Sequence, residues 1–305
     1  MKVTILGTSS AVPTFKRGLS ATLVEREGES FLFDCGEGTQ FQIMRANVRR
    51  GRLRSIFITH LHGDHYYGLP GLLSSLNLNQ RDQKIDVWGP VGIARYVDFI
   101  QNFPKRQGWS FEVHTHEIPN GFSGSILETA EYRVLTAPLE HRVPTQGYRL
   151  EEKPRPGVFD AARAEELGIP FGPIRGRLQR GEAVRLDDGR LIEPAELVGP
   201  ARPGRAFVYC TDTAFCLSAK RLAQDCDLLL HETTYGDEMH ELATERKHTT
   251  MRQAALLARG AGARRFVATH FSTRYDRESI QTLEAEGREV YPDLILAHDL
   301  MTIEV

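Results

Sequence analysis

The chain has few cysteines, and their spacing indicates neither a disulfide framework nor a thiolate metal site. Only four cysteines occur among 305 residues, and no two of them form a Cys-x-x-Cys pair. Because each sits in apolar surroundings, we expect four reduced thiols in the core. They are Cys35, Cys210, Cys216 and Cys226.

Long apolar runs, internal repeats, low-complexity tracts and a strong net charge are also missing. No run of 18 apolar residues occurs and the first predicted strand begins at Lys2, so we expect no membrane span, no secretory signal and a cytoplasmic location. A formal net charge of −2 provides no general attraction for polyanions. The length suits one domain with a large buried core.

Histidine, in contrast, is concentrated directly after a predicted strand. The apolar run Ser55-Ile56-Phe57-Ile58 is typical of a buried strand and leads into Thr59-His60-Leu61-His62-Gly63-Asp64-His65. In an extended segment, alternate side chains point to the same side, so His60 and His62 can bind one ion together. This pattern predicts a metal site, and the alternative is a chance cluster of histidines on a surface turn.

The end of this motif predicts ligands for a second ion. Gly63 permits a tight turn, after which Asp64 and His65 face a point beside the first ion. A helix is predicted from Tyr67 to Asn79. Nitrogen and carboxylate donors without thiolate favour zinc, with manganese as the alternative.

Further candidate ligands stand at the ends of other apolar runs. His141 follows Tyr132 to Leu139, Asp212 follows the predicted strand around Val208, and His270 closes another predicted strand. The carboxyl ends of strands are where α/β sheets place their ligands. A single strand-end His or Asp is more often structural, but the histidine motif makes the metal interpretation the better one here. His114 and His116 share a strand face, and we interpret them as structural because no carboxylate-bearing turn follows.

Together, these residues resemble the metallo-β-lactamase superfamily and, within it, the ribonuclease Z family. The narrower resemblance depends on strings that span the chain, among them Leu6-Gly7-Thr8-Ser9-Ser10, Asp34-Cys35-Gly36-Glu37-Gly38-Thr39-Gln40, His231-Glu232-Thr233-Thr234 and Thr269-His270-Phe271-Ser272. The resemblance implies an αββα sandwich of the metallo-β-lactamase type. The alternation of predicted strands and helices agrees with that fold, and Phe111-Glu112-Val113 is one of the predicted strands.

The resemblance also implies how the ligands divide between two Zn²⁺ ions per subunit, with Mn²⁺ as the alternative metal. One ion would be held by His60, His62, His141 and Asp212. The other would be held by Asp64, His65, Asp212 and His270. Asp212 would therefore bridge the ions, and Asp64 would orient or deprotonate the attacking water.

A proton donor is implied by the same resemblance. His248, paired with Glu232, would protonate the leaving ribose oxygen, because a carboxylate beside an imidazole fixes its tautomer and raises its pKa. The alternatives are an ordinary surface carboxylate for Glu232 and a helix-cap neighbour for His248, since the helix Met251 to Ala258 follows.

A compositional change from about 152 to 204 predicts an insertion, which the resemblance implies is a protruding arm. Proline and glycine recur there, and Arg175, Arg177 and Arg180 lie between Glu166 and Glu182 without an intervening acid. The resemblance implies an exosite for transfer RNA, with these arginines as phosphate contacts. The alternative is a surface excursion or a small hairpin subdomain. A second basic patch precedes the metal motif at Arg45, Arg49, Arg50, Arg52 and Arg54.

The function implied is cleavage of precursor transfer RNA after the acceptor stem. We expect a tRNA 3′-hydroxyl and a 5′-phosphate trailer as products, and a homodimer in which one subunit's arm holds RNA cut by the other subunit. One alternative is a hydrolase of a small cyclic phosphodiester, thioester or lactam. Another is a non-catalytic RNA-binding or scaffold protein.

Overall fold

A computed structural model describes residues 1–48, 50–103, 108–276 and 278–305. It contains strands and helices that alternate along much of the chain. The strands are β1 (Lys2–Gly7), β2 (Ala21–Arg26), β3 (Glu29–Phe33), β4 (Leu53–Phe57), β5 (Ile85–Pro90), β6 (Val113–Ile118), β7 (Gly124–Glu128), β8 (Tyr132–Leu139), β9 (Thr145–Glu152), β10 (Val184–Arg185), β11 (Leu191–Ile192), β12 (Ala206–Cys210), β13 (Leu228–Glu232), β14 (Phe266–Thr269), β15 (Ile295–Leu296) and β16 (Thr302–Glu304).

The helices lie between these strands, mostly as short segments. They are α1 (Thr39–Arg45), α2 (Gly63–Tyr66), α3 (Leu69–Leu78), α4 (Ile93–Asn102), α5 (Ala161–Glu166), α6 (Pro173–Gln179), α7 (Leu217–Leu222), α8 (His240–Arg246), α9 (Met251–Gly260) and α10 (Ser279–Arg288). Three 3-10 turns lie at Arg50–Arg52, Pro194–Glu196 and Asp237–Met239.

Two large sheets form the centre of the fold. The first has the order β16-β1-β2-β3-β4-β5-β6, and the second has the order β15-β14-β13-β12-β9-β8-β7. Strands β3 to β6 are parallel, as are β12 to β15. Parallel strands end at the same edge of a sheet. Residues that follow β3 and β4 therefore lie at one edge of the first sheet, and residues that follow β12 and β14 lie at one edge of the second.

Aromatic side chains join the two sheets. Phe33 of β3 lies 5.1 Å from Phe57 of β4 and 5.4 Å from Phe207 of β12, measured between ring centroids. Tyr148 of β9 lies 5.4 Å from Phe57. Large buried rings such as these contribute much of the apolar area that a sandwich interior needs.

Helices cover the outer faces of both sheets. Leucines of α3 and apolar residues of α4 pack with β1 to β5 in one core, whereas α7, α9 and α10 pack with β12 and β14 in another. These are the four layers of an αββα sandwich, so the predicted fold class is confirmed. The four cysteines are free thiols, as predicted, and Cys216 is the one that is partly exposed.

A second compact unit comprises residues Thr129–Arg133 and Glu151–Arg205. It has its own core around Ile169, Leu178 and Ile192. The antiparallel pair β10 and β11 forms a short hairpin within it. The insertion predicted at 152–204 lies inside this unit.

Two predicted boundaries were wrong. The strand predicted at 111–113 begins at Val113 and continues to Ile118, while Phe111 packs into the first core. The helix predicted at 67–79 begins at Leu69, because Pro70 in the first turn favours a new start there, and the preceding residues form the separate α2.

Candidate metal centre

The first ligand set forms beyond the carboxyl end of β4. His60 is fully buried, and its Nε2 lies 3.0 Å from Nδ1 of His62. His141, which follows β8, brings its Nε2 within 3.4 Å of the same His62 nitrogen. Oδ2 of Asp212 lies 3.7 Å from His60 Nε2 and 3.8 Å from His141 Nε2. One donor atom from each of these four residues lies within 4.8 Å of all the others.

The second ligand set adjoins the first. Asp64 and His65 stand in α2, whose first turn is preceded by His62, and His270 follows β14. Donor atoms of these three residues again lie within 4.8 Å of one another. Oδ1 of Asp212 lies 3.2 Å from His65 Nε2 and 3.1 Å from His270 Nε2. The two oxygens of Asp212 therefore face different ligand sets, which agrees with the predicted bridge.

The donor atoms suit divalent metal ions. Nε2 of His65 and Nε2 of His270 are buried, and neither makes a hydrogen bond to any described residue. A buried nitrogen without a partner is costly unless it binds something else. Nitrogen and carboxylate donors at this spacing are typical of zinc sites and also acceptable to manganese. The ligand roles of individual residues remain predictions.

The opposite ring nitrogens are held by partners that aim Nε2 at the centre. Nδ1 of His141 donates to the Lys247 carbonyl at 3.0 Å. Nδ1 of His270 lies 3.0 Å from the Thr234 hydroxyl. Contacts of this kind fix the tautomer and ring orientation of a metal-binding histidine.

The carboxylates of the centre are held in their charged form. Burial alone would raise the pKa of Asp212, but the charges of His270, His65 and His60 outweigh it and lower the pKa well below its ordinary value. Burial likewise opposes ionisation of Asp64, whose pKa is nevertheless lowered by His65 and His270. Burial dominates at His60 and lowers its pKa, which favours the neutral imidazole that a metal requires.

Two of the candidate ligands that follow strands have a left-handed backbone conformation. Asp212 and His270 have φ of 48° and 60°, in the left-handed region that side chains other than glycine rarely adopt. Such conformations cost on the order of 1–3 kcal/mol each and tend to cluster at functional sites. Here they turn each side chain back toward the centre directly after its strand.

A buried acid–base pair adjoins the ligand sets. Nδ1 of His248 lies 2.8 Å from Oε1 of Glu232, and Nε2 of His248 lies 4.0 Å from Oδ2 of Asp212. Glu232 also accepts hydrogen bonds from the backbone of Thr213 at 2.7 Å and the hydroxyl of Thr234 at 2.6 Å. The pairing expected from sequence is therefore present in the geometry.

This pair has shifted pKa values. Burial alone would lower the pKa of His248, but the Glu232 carboxylate outweighs it and raises the pKa to about 9. Burial alone would raise the pKa of Glu232, and the His248 charge lowers it to about 2. A pKa raised in this way favours the protonated imidazole that a general acid needs at neutral pH.

Sequence reasoning assigned no role to two residues that contact the centre. Asp34 receives hydrogen bonds from Thr59 and from Nδ1 of His65, and Thr234 contacts Glu232, His248 and His270. Asp34 directly follows the apolar run Phe31-Leu32-Phe33, which is the same signal that drew attention to Asp212. Thr234 carries no comparable signal.

The arginines predicted as phosphate contacts are engaged within the second unit. Arg175 donates from Nε and Nη2 to the Ile169 carbonyl at 3.2 and 2.7 Å. Arg177 and Arg180 both pair with Glu182, at 3.0 and 3.4 Å. The acid that follows the cluster in sequence thus neutralises part of it, and an RNA role for these residues stays a prediction.

Other predicted residues lie apart from the ligand sets. His114 pairs with Glu112 at 2.9 Å, and His116 pairs with Asp86 at 2.8 Å and stacks on Trp88, which agrees with the structural interpretation. In the basic patch, Arg54 pairs with Glu29 at 3.3 Å and Arg45 contacts Gln42. Arg49 lies outside the described residues.

Comparison with known proteins identifies the fold and the family. A family model described as "Beta-lactamase superfamily domain" matches residues 189–271, and one described as "Anti-Pycsar protein Apyc1" matches residues 1–96. Ribonuclease Z of Synechocystis sp. is 45% identical over 311 residues, covering 100% of this chain and 94% of that protein. Ribonuclease Z of Nostoc sp. is 44% identical, covering 100% and 95%.

Solved structures agree. The human tRNase Z short form matches with a TM-score of 0.71 and 28% identity, covering 100% of this chain and 99% of that one. The metallo-β-lactamase fold protein YhfI from Bacillus subtilis matches with a TM-score of 0.69 and 16% identity, covering 100% and 98%. None of the described helices is long and apolar enough to cross a membrane.

The fold and the clustered ligands define a hydrolase of the metallo-β-lactamase fold. Within that class the sequence relationship extends over the whole chain. The chain belongs to the ribonuclease Z family.

Proposed function

We propose that this protein is a zinc-dependent endoribonuclease that cleaves precursor tRNA at its 3′ end, leaving a 3′-hydroxyl on the tRNA and a 5′-phosphate on the trailer. The observation that supports it best is the convergence of two ligand sets on Asp212, beside the pair of Glu232 and His248. The relatives named Ribonuclease Z and the human tRNase Z support the choice of substrate. The cytoplasmic location remains a prediction.

Two Zn²⁺ ions are proposed for each subunit, with Mn²⁺ as the alternative. His60, His62, His141 and Asp212 would hold one ion, and Asp64, His65, Asp212 and His270 the other. Bound ions supply charge neutralisation at the scissile phosphate and a lowered pKa for water. Nε2 of His65 and Nε2 of His270 make no hydrogen bond to any described residue and both face Oδ1 of Asp212, which supports this assignment.

Asp64 is the proposed proton acceptor. One of its oxygens, Oδ2, accepts a hydrogen bond from the Ala11 backbone at 2.9 Å and lies 3.4 Å from His65 Nε2. These contacts hold the carboxylate at the edge of the second ligand set. From there it can orient an attacking water and remove its proton.

His248 is the proposed proton donor for the leaving ribose oxygen. Glu232 accepts a hydrogen bond from Nδ1 of His248, so the proton on Nε2 of His248 faces Asp212. The proton transferred from Nε2 would complete the 3′-hydroxyl of the tRNA. Glu232 would stabilise the imidazolium before that transfer and fix the ring throughout.

The arm at 152–204 is the proposed tRNA exosite, and the family resemblance is its main support. Within the second unit, Phe171 exposes 93% of its side chain and lies beside Arg175, whose guanidinium is 5.8 Å from the ring. An exposed aromatic ring with an adjacent cation can stack on nucleobases and contact phosphates. We also propose a homodimer in which the arm of one subunit serves the site of the other.

The first test measures cleavage of a labelled precursor tRNA and of bis-p-nitrophenyl phosphate by wild type, Asp64→Ala and a deletion of 156–200. We expect Asp64→Ala to lose both activities and the deletion to lose only tRNA cleavage. Arg177→Ala with Arg180→Ala tests the arm without a deletion, and the exposed Arg221→Ala is the matched control. If wild type cleaved bis-p-nitrophenyl phosphate but left the precursor tRNA intact, the alternative of a small-molecule hydrolase would be favoured. If wild type bound no metal, the alternative of a non-catalytic scaffold protein would be favoured.

The dimer proposal has its own test. Wild type should sediment as a dimer, and a mixture of the arm deletion with Asp64→Ala should recover tRNA cleavage, because a mixed dimer pairs one intact arm with one intact site. The two variants alone are the controls. Recovery fails if each arm serves its own subunit.

A further inference from the structure

Asp34 lies just after the end of a strand, as do two of the proposed ligands, Asp212 and His270. It directly follows β3, has φ of 57° and is fully buried, and Asp212 and His270 share this left-handed conformation after their own strands. Yet Asp34 belongs to neither ligand set. A buried carboxylate in a costly backbone conformation calls for a role of its own.

The groups around the Asp34 carboxylate all donate to it. Oδ1 accepts from the Thr59 backbone N–H at 2.8 Å, and both oxygens lie 3.0 Å from the Thr59 hydroxyl. Oδ2 accepts from the Tyr209 hydroxyl at 3.0 Å and from Nδ1 of His65 at 2.7 Å. Because a carboxylate only accepts, Nδ1 of His65 must carry a proton, and its Nε2 is left for the second ligand set.

The same carboxylate acts on the first ligand set through Thr59. The single hydroxyl proton of Thr59 is directed to Asp34, so its oxygen can only accept from Nδ1 of His60, 3.0 Å away. Nε2 of His60 is thereby left to face His62 and Asp212. One buried group thus fixes a ring in each of the two ligand sets.

We propose that Asp34 is a positioning residue that sets the Nε2-binding tautomers of His65 directly and of His60 through Thr59. The proposal rests on the two-ion centre put forward above but is independent of the RNA substrate. It assigns Asp34 no contact with substrate.

The test is Asp34→Asn, which keeps size and tolerates the left-handed conformation. The amide has one accepting oxygen. If that oxygen stays on the Thr59 N–H, its NH₂ group faces Nδ1 of His65 and forces the tautomer whose Nε2 carries a proton and cannot bind metal. We expect at least one zinc ion to bind 10–100-fold more weakly, the range typical of such partners.

Zinc affinity is measured by titrating metal-free protein in competition with a chelating dye. Tyr209→Phe is the matched control, because it removes a donor to the same Oδ2 and leaves the carboxylate in place. It should bind both ions like wild type. Thr59→Val should weaken the ion of the first set. A His141→Ala background, in which only the second set is complete, shows whether Thr59→Val spares the second ion.

The outcomes separate the two proposals. Wild type that binds no zinc would contradict the metal centre itself. If wild type and Asp34→Asn bound two zinc ions with equal affinity, only the proposed role of Asp34 would be overturned. The same would follow if Tyr209→Phe lost as much zinc affinity as Asp34→Asn. If Asp34→Asn does not fold, ¹⁵N-histidine NMR of zinc-loaded wild type decides: protonated Nδ1 on both His60 and His65 is expected, and metal bound through either Nδ1 overturns the proposal.

Discussion

At the scale of single residues, the histidines of the centre differ by what holds their second nitrogen. His141 and His270 are held by a carbonyl and a hydroxyl, whereas Nδ1 of His248 meets the Glu232 carboxylate. A neutral partner orients a ring but stabilises its charged form less than a carboxylate does. The carboxylate does both, as Asp34 also does for the proposed ligand His65, and this supports His248 as the proposed proton donor.

This difference predicts the effect of His248→Ala. We expect tRNA cleavage to fall by about 10²–10⁴-fold, the usual contribution of a positioned acid. The rate of bis-p-nitrophenyl phosphate cleavage should fall much less, since the leaving group of this ester departs without a proton. Rates at saturating substrate check both. The exposed His240→Ala is the control, and an equal loss on both substrates would contradict the role of proton donor.

At the scale of elements, the placement of α2 depends on close backbone contact with the segment after β3. A Cβ on Gly68 would lie 2.1 Å from the Gly36 carbonyl oxygen, and one on Gly36 would lie 2.4 Å from the Asp64 carbonyl oxygen. Only glycine permits this approach. The Gly-rich string after Asp34 therefore positions the helix that carries Asp64 and His65.

Gly68→Ala should consequently disturb the centre. The added methyl group cannot be accommodated without moving α2 or α3, so we expect a loss of about 1–3 kcal/mol in the free energy of unfolding. Urea denaturation with and without zinc measures it. Gly51→Ala, whose Cβ would meet nothing within 4 Å, should be close to neutral. Similar stabilities for the two variants would refute the packing argument.

A second element-scale prediction concerns the second unit. Glu152 is 3% exposed, pairs with Arg205 at 2.7 Å and with Arg155 at 2.8 Å, and stands where the chain enters the arm. Glu152→Gln removes the Glu152 charge from its pairs with Arg155 and Arg205. We expect a cost of about 2 kcal/mol, below that of a fully buried pair because the Arg205 side chain is one-third exposed. Hydrogen exchange of residues 151–205 measures it.

The neighbouring Glu151→Gln is the control, because its pair with Arg133 is more exposed and should contribute under about 1 kcal/mol. The Glu152 pair also predicts a pH dependence. Burial opposes ionisation, but Arg205 outweighs it and lowers the Glu152 pKa from 4.5 to about 2. Its stabilising effect is therefore complete above pH 4.5 and is lost as pH falls toward 2. If residues 151–205 were equally protected from hydrogen exchange in Glu152→Gln and Glu151→Gln, the larger contribution of the Glu152 pair would be contradicted.

At the scale of the whole molecule, the proposed ligands follow strands of both sheets of the sandwich. His60 and His62 follow β4 of the first sheet, while His141, Asp212 and His270 follow β8, β12 and β14 of the second. Ions held by both groups would tie the two sheets together. Metal binding should therefore stabilise the fold as well as enable catalysis.

We expect chelation to lower the melting temperature. An ion present at 100 times its dissociation constant stabilises by about 2.7 kcal/mol, which corresponds to about 4 °C for a chain of this size. Differential scanning calorimetry with and without EDTA measures the shift. A variant with His60→Ala and His270→Ala should melt at the same temperature in both conditions. If EDTA left the melting temperature of wild type unchanged, the proposal that bound ions join the two sheets would be contradicted.

The sequence by itself determined the fold class and the clustering of ligands. Side-chain alternation after β4 and the turn at Gly63 are local properties, so they could be derived from neighbouring residues. The strand-end positions of His141, Asp212 and His270 followed from apolar runs, and family-specific strings fixed the αββα sandwich.

Only the tertiary structure decided how polar groups pair across the chain. The reach of Asp34 to Tyr209 and the division of the Asp212 oxygens between two ligand sets depend on side-chain directions in the packed fold. Residues far apart in sequence have no local pattern that links them, because sheet packing alone sets their separation. The start of β6 at Val113 likewise depended on strand pairing rather than on propensity.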